Sequence, residues 1–153
     1  EKTKLLSFSK WKHPRDNDTF VFLSFEFRRE LDRKGKDTVT FKTAKKRLEK
    51  AVANFKEWIK KNRDLKLFKL MKKVRSKLIG HYNYYGVYGN LKRMQTYHYW
   101  SVRALFYWLN RRSQCKSYNW FGFGKMLEYY NIPLPYLTKT GKKSLSKVAE
   151  LIG

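Results

Sequence analysis

The chain has 153 residues and carries 36 Lys and Arg against 12 Asp and Glu, a formal net charge of +24, in a length typical of one domain. Aromatics make up 18% and apolar types 42% of it, which excludes a disordered basic tail and leaves enough apolar mass to bury a core. A positive excess of this size repels itself unless a polyanion neutralises it, and the aromatics beside it make nucleic acid the first candidate.

Glu1-Lys2-Thr3-Lys4 has no starting Met and no apolar signal core, and reads as the start of a piece cut from something longer. Residues 5–41 have the texture of strands. Leu5-Leu6-Ser7-Phe8 is a first run, and a turn built on Pro14, Asp16, Asn17 and Asp18 separates it from a second, Thr19 to Phe27. In that second run Phe20 and Phe22 give way to Phe25 and Phe27. Both faces are then apolar, which predicts a strand covered on both sides or bulged near Ser24. Leu31 to Asp37 is a charged turn, and Thr38-Val39-Thr40-Phe41 a short return strand.

Helix dominates from Thr43 to about Arg112. Thr43 is the expected N-cap of a helix running to about Lys61, with Leu48, Val52, Phe55 and Ile59 on one stripe. Asn62-Arg63-Asp64 breaks it. A second helix carries Leu67, Leu70, Val74, Leu78 and Tyr82 at the same spacing and ends near Gly86 and Gly89. A third spans about Leu91 to Arg112 with Val102, Leu105 and Leu109 inward, and Trp100 and Trp108 near the apolar stripes are expected in the core. Asn119-Trp120 opens a short helix through Tyr130, stopped by Pro133 and Pro135, and a basic tail follows Thr138.

The charge distribution says more than its total. After Asp64 the next carboxylate is Glu128, and residues 65–127 hold thirteen Lys or Arg. A merely solvated helical surface interleaves both signs, because mixed pairs support helices and limit repulsion. A stretch this long without an acid predicts contact with a polyanion. The same stretch holds Tyr82, Tyr84, Tyr85, Tyr88, Tyr97, Tyr99, Trp100, Tyr107, Trp108, Tyr118 and Trp120. Unpaired bases stack on such rings, which favours RNA. On a helix, adjacent Tyr84 and Tyr85 cannot both face inward: Tyr85 continues the stripe of Leu78 and Tyr82, and Tyr84 is turned away from it.

Catalytic constellations are lacking. Two-metal phosphoryl transfer needs clustered carboxylates, and here no two acids are adjacent. No phosphate-cradling Gly-rich loop occurs, and Gly122-x-Gly124 is too weak a signal. His13, His81 and His98 are far apart, with no zinc-ligand spacing to a cysteine. The single Cys115 cannot form an internal disulfide, which fits a reducing compartment, and no apolar run is long enough to span a membrane.

Arg75-x-x-Leu78-x-Gly80-His81-Tyr82-Asn83-Tyr84-Tyr85-Gly86 resembles the signature helix of the group II intron maturase-specific domain, R-x-x-x-x-G-x-x-N-Y-Y. Tyr107-Trp108-Leu109-Asn110-Arg111-Arg112 is similar to that domain's next helix, and Asn119-Trp120 through Pro133-x-Pro135 to its closing segment. Upstream, Glu1-Lys2-Thr3 and Phe22-Leu23-Ser24-Phe25 are similar to the E-K-T stretch and the F-L-G-F primer-grip block of the same reverse transcriptases, with Ser24 where the family commonly has Gly. The motifs cover residues 1 to about 137 in the family's order.

The resemblance implies the end of a palm (1–42), a helical thumb and maturase-specific region (43–137) and a basic tail (138–153). The expected fold class is α+β: a small antiparallel sheet, then a bundle of three main helices. The expected function is RNA binding, gripping intron RNA or a template-primer to assist splicing and RNA-directed DNA synthesis. Phosphate contacts are expected from Lys45, Lys46, Arg47, Arg75, Lys77, Arg93, Arg111 and Arg112, and base or ribose contacts from His81, Asn83, Tyr84 and Tyr85. Phe22, Leu23, Ser24 and Phe25 are primer-grip-like. By the resemblance, the metal-binding carboxylates, with the fingers and the rest of the palm, lie before Glu1, in cis or in trans. No cofactor or metal is then expected in this chain, and Mg²⁺ belongs to the full-length polymerase. The implied location is a bacterial cytoplasm or nucleoid, or an organelle matrix. The competing readings are a part of an active RNA-directed DNA polymerase and a basic structural protein of a ribonucleoprotein particle.

Overall fold

The structure, a computed structural model, describes residues 19–31, 34–35, 37–112 and 117–138. The expected strand at Leu5 to Phe8, the turn at Pro14 to Asp18 and the basic tail beyond Thr138 lie outside them. The fold is α+β. Three antiparallel strands, β1 (Phe20–Phe22), β2 (Phe25–Leu31) and β3 (Asp37–Thr43), form a sheet in sequence order. Four helices follow: α1 (Lys45–Asn62), α2 (Leu67–Tyr85), α3 (Leu91–Asn110) and α4 (Trp120–Tyr129).

The run from Thr19 to Phe27 is not one strand. It reverses at Leu23-Ser24, with Phe20 opposite Phe27 and Phe22 opposite Phe25. Both loop residues take positive φ, 46° and 73°, the condition for a two-residue hairpin turn that matches strand twist. Opposed residues share a face, so the aromatics at even positions of β1 and odd positions of β2 line the same side. Phe20 stacks on Phe27 at 4.9 Å, and Phe27 and Phe25 lie 5.5 and 6.1 Å from Phe41 of β3. The change of parity that suggested two apolar faces is the mark of a turn. The charged turn after Leu31 is present, with Leu31 opposite Asp37.

Helix limits follow the apolar stripes closely. Leu48, Phe55 and Ile59 of α1, Leu70, Met71, Val74, Leu78 and Tyr82 of α2, and Met94, Tyr97, Leu105 and Leu109 of α3 are buried in one core, with Val52 and Val102 at its margin. Phe123 of α4 joins them, edge-on to Phe106 at 5.1 Å. Asn119 caps α4 by accepting from the Gly122 N–H at 2.7 Å. Thr43, in contrast, caps nothing: Ala44 holds the N-cap position of α1 without a side-chain bond, and Thr43 is buried.

The reason is Asn90. Fully buried in the α2–α3 connection, its Oδ1 accepts from the Thr43 N–H at 2.8 Å, and its Nδ2 donates to Thr43 Oγ1 at 2.8 Å and Tyr85 O at 2.9 Å. One amide thereby ties the end of β3 to the end of α2 and seats the sheet on the bundle. Among the described residues no helix is long and apolar enough to cross a membrane.

Candidate nucleic-acid interface

The expected RNA-contact residues at the end of α2 turn out to hold the chain together. Tyr136 donates its hydroxyl to Asn83 Oδ1 at 2.8 Å, and Arg75 Nε donates to Asn131 O at 3.0 Å. Thr138 N–H donates to Gly86 O at 2.8 Å. The segment after α4 is thus strapped along α2. Glycine is required at 86 first by the helix end, where a Cβ would collide with Tyr82 O, and it also leaves room for the strap, whose Tyr136 O and Thr138 Cγ2 would lie 3.0 Å from that Cβ.

Tyr84 projects the other way. Its hydroxyl donates to Leu23 O at 3.3 Å at the hairpin tip and its ring lies 6.2 Å from Phe25, although it remains 54% exposed. Tyr85 is half-buried against the core and Phe25, as its stripe position implies. Of the primer-grip-like residues, Phe22 and Leu23 are exposed, while the Ser24 carbonyl accepts from the Ala44 N–H at 3.0 Å.

His81 was expected to touch base or ribose; its half-buried ring stacks on Tyr97 at 3.6 Å and lies tilted 4.5 Å from Tyr85. Burial lowers its imidazole to about 4, so it is neutral at pH 7 and offers no charge to a phosphate. His98, also lowered by burial, sits 2.7 Å from the Tyr82 hydroxyl through Nδ1. Arg112 likewise turns inward, donating through Nη2 to Leu65 O, with its Nε buried. Asn110 of the same motif exchanges two bonds with the Tyr118 backbone, at 3.1 and 2.8 Å, and holds the approach to α4.

Five of the other expected cations face outward, while Arg93 is half-buried. Lys45, Lys46 and Arg47 are all exposed in the first turn of α1, a placement the helix dipole disfavours. Exposed Lys77 lies over the Trp58 ring at 4.7 Å. Arg111, exposed, covers the Tyr107 ring at 5.0 Å and donates to its hydroxyl.

Sequence reasoning missed a concave basic surface. A groove of about 410 Å³ opens between α1 and α3, lined by Lys56, Glu57 and Lys60 on one wall and Trp100, Arg103, Ala104, Tyr107 and Trp108 on the other. The two helices run in the same direction, since Phe55 meets Tyr97, Lys56 meets Trp100 and Arg63 meets Trp108. Trp100 was expected in the core but is 42% exposed. The α1 stripe buries Leu48, Phe55 and Ile59, and the flank carrying Lys56 and Lys60 borders the groove beside Trp100. Cations lie over the aromatics along it: Lys56 over Trp100 at 5.0 Å, Arg63 over Trp108 at 5.4 Å and Arg103 over Tyr99 at 5.3 Å. Helical spacing puts Arg93 on the same flank as Trp100, Tyr107 and Arg111. The signal for this stripe was present in the sequence as Tyr99-x-x-x-Arg103 and Tyr107-x-x-x-Arg111, the i, i+4 spacing that brings ring and guanidinium together.

Among the described residues only two ion pairs form, Lys42 with Glu30 at 3.5 Å and Arg63 with Asp64 at 3.7 Å. The positive charge of the bundle is therefore not neutralised from within by carboxylates. Among the same residues no group of three or more His, Cys, Asp or Glu comes together that could hold a metal ion. Compared with family models, with curated proteins and with solved structures, the chain matches none.

Proposed function

We propose that this chain is an RNA-binding module, equivalent to the thumb and maturase region of a group II intron-type reverse transcriptase, that grips intron RNA or a template-primer along the α1–α3 face. One observation carries the reading: a groove whose walls combine Lys56, Lys60 and Arg103 with the exposed rings of Trp100 and Tyr107. Cations supply sequence-independent attraction to phosphate, and exposed rings offer stacking surface to unpaired bases.

The order of the signature motifs along residues 1 to about 137 is what supports the narrower assignment to maturases. In this reading DNA synthesis depends on carboxylates and Mg²⁺ outside the chain, and the work is done in a bacterial cytoplasm or an organelle matrix, where such introns reside.

The test is the salt dependence of binding to a structured RNA. With about six phosphates neutralised, log K falls with a slope on the order of −4 to −5 per decade of salt. Lys56→Ala with Lys60→Ala reduces that slope by about 1 to 2. A slope near −1 for the parent chain removes the electrostatic basis of the proposal.

A further inference from the structure

The α1–α3 groove has features that phosphate binding alone does not use. Its lining sets Ala104 and the rings of Trp100, Tyr107 and Trp108 beside its cations. Its volume of about 410 Å³ falls in the ~300–1,000 Å³ range of pockets that enclose small organic ligands. A duplex keeps its bases stacked inside and presents phosphates and shallow edges, leaving such rings without a stacking partner. An unpaired nucleotide brings a flat apolar face and a phosphate on one unit.

One wall also carries a carboxylate. Glu57 lies between Lys56 and Lys60 in the lining, is exposed, and is in neither of the two ion pairs among the described residues. Lys56 precedes it and Lys60 and Lys61 follow one turn on, so the groove's one acid stands among cations. An ionised carboxylate only accepts hydrogen bonds. Among nucleobases it selects those with an exocyclic amino group: cytosine, adenine or guanine. Uracil flanks its one N–H with two carbonyl oxygens, which a carboxylate repels.

We infer that the groove takes a single unpaired, amino-bearing nucleotide of an RNA strand, its base on Trp100 and its amino group donating to Glu57. This rests on the RNA-binding reading and specifies what the groove adds to it. Lys56, now over the Trp100 ring at 5.0 Å, moves to the incoming phosphate as the base takes the ring. Lys60 and Arg103 hold the flanking phosphates.

Ten-nucleotide oligo-C, oligo-A and oligo-U, together with a blunt RNA duplex of the same length, are titrated at one salt concentration into the full chain and three variants. The parent binds oligo-C and oligo-A about fivefold or more tighter than oligo-U. Trp100→Ala weakens oligo-C about tenfold and leaves the duplex unchanged, while Trp100→Phe, which keeps a stacking face, recovers most of the loss. Glu57→Gln, which can donate as well as accept, brings oligo-U to about the affinity of oligo-C. Equal affinity of the parent for all three oligomers overturns the inference, as does an equal loss for duplex and single strand in Trp100→Ala. In both of those outcomes the duplex still binds and the RNA-binding reading stands. Failure of every RNA to bind overturns that reading as well.

Discussion

The hydroxyl of Tyr136 donates to Asn83 Oδ1 at 2.8 Å across 53 residues of chain. Asn83 therefore spends its side-chain oxygen on the strap, beside the Thr138 bond to Gly86 and the Arg75 bond to Asn131. Tyr136→Phe removes the donor and keeps the ring that meets Tyr82 edge-on at 5.7 Å. The expected cost is about 0.5–1.5 kcal/mol in a thermal or urea melt, with RNA affinity unchanged. An unchanged melt with weakened RNA binding would return Asn83 to the RNA surface and add Tyr136 to it.

Ser24 holds φ at 73° in the hairpin turn, a region that costs an L-residue free energy and glycine almost none. Ser24→Gly is expected to raise stability by about 0.5–1 kcal/mol, the relief of strain being offset in part by the freer unfolded chain. Differential scanning calorimetry reads the shift. Ser24→Val, with a β-branched side chain in the same conformation, should move the melt in the opposite direction.

Asn90 is buried and satisfies the Thr43 N–H and the Tyr85 carbonyl at once. Asn90→Ala strands both, and an unmet buried group costs about 1–3 kcal/mol. A total loss of about 2–4 kcal/mol is expected by chemical denaturation. Asn90→Asp is expected to lose the bond to Tyr85 O while keeping an acceptor for Thr43, and to fall between the two.

His81 makes stability depend on pH. Its imidazole is lowered by burial from 6.5 to about 4, so the unfolded chain binds the proton first as pH falls. Stability from this group is complete above about pH 6.5 and is lost as pH falls from there toward 4, by about 3 kcal/mol in all. His81→Phe keeps a ring against Tyr97 and removes the proton. Melts between pH 7 and 5 should show a flatter pH dependence for this variant than for the parent, and identical slopes would exclude His81 as the source.

How much of this was legible in one dimension depends on the range of the interaction. The stripes of α1, α2 and α3 repeat every three to four residues, and each of Leu48, Phe55, Ile59, Leu70, Val74, Leu78, Leu105 and Leu109 is buried where its spacing puts it. The Asn119 cap is equally local, closing a bond to Gly122 three residues away. Charge shares this property, since an acid-free stretch from residue 65 to 127 is a fact of composition.

Tertiary structure decided the rest. Leu23-Ser24 contains none of the Gly, Asn or Asp that commonly take positive φ in such a turn, and the reversal there is held from far along the chain, by the Tyr84 hydroxyl 61 residues on and by the Ala44 N–H. Asn90 gains its meaning only from Thr43, 47 residues before it. The groove is a relation between α1 and α3, so neither helix alone shows that Trp100 stays open while Glu57 faces it among lysines. Periodicity tells a residue which side of its own helix is apolar. It does not say which neighbour will stand beside that side, because the neighbour is chosen by packing among segments distant in sequence.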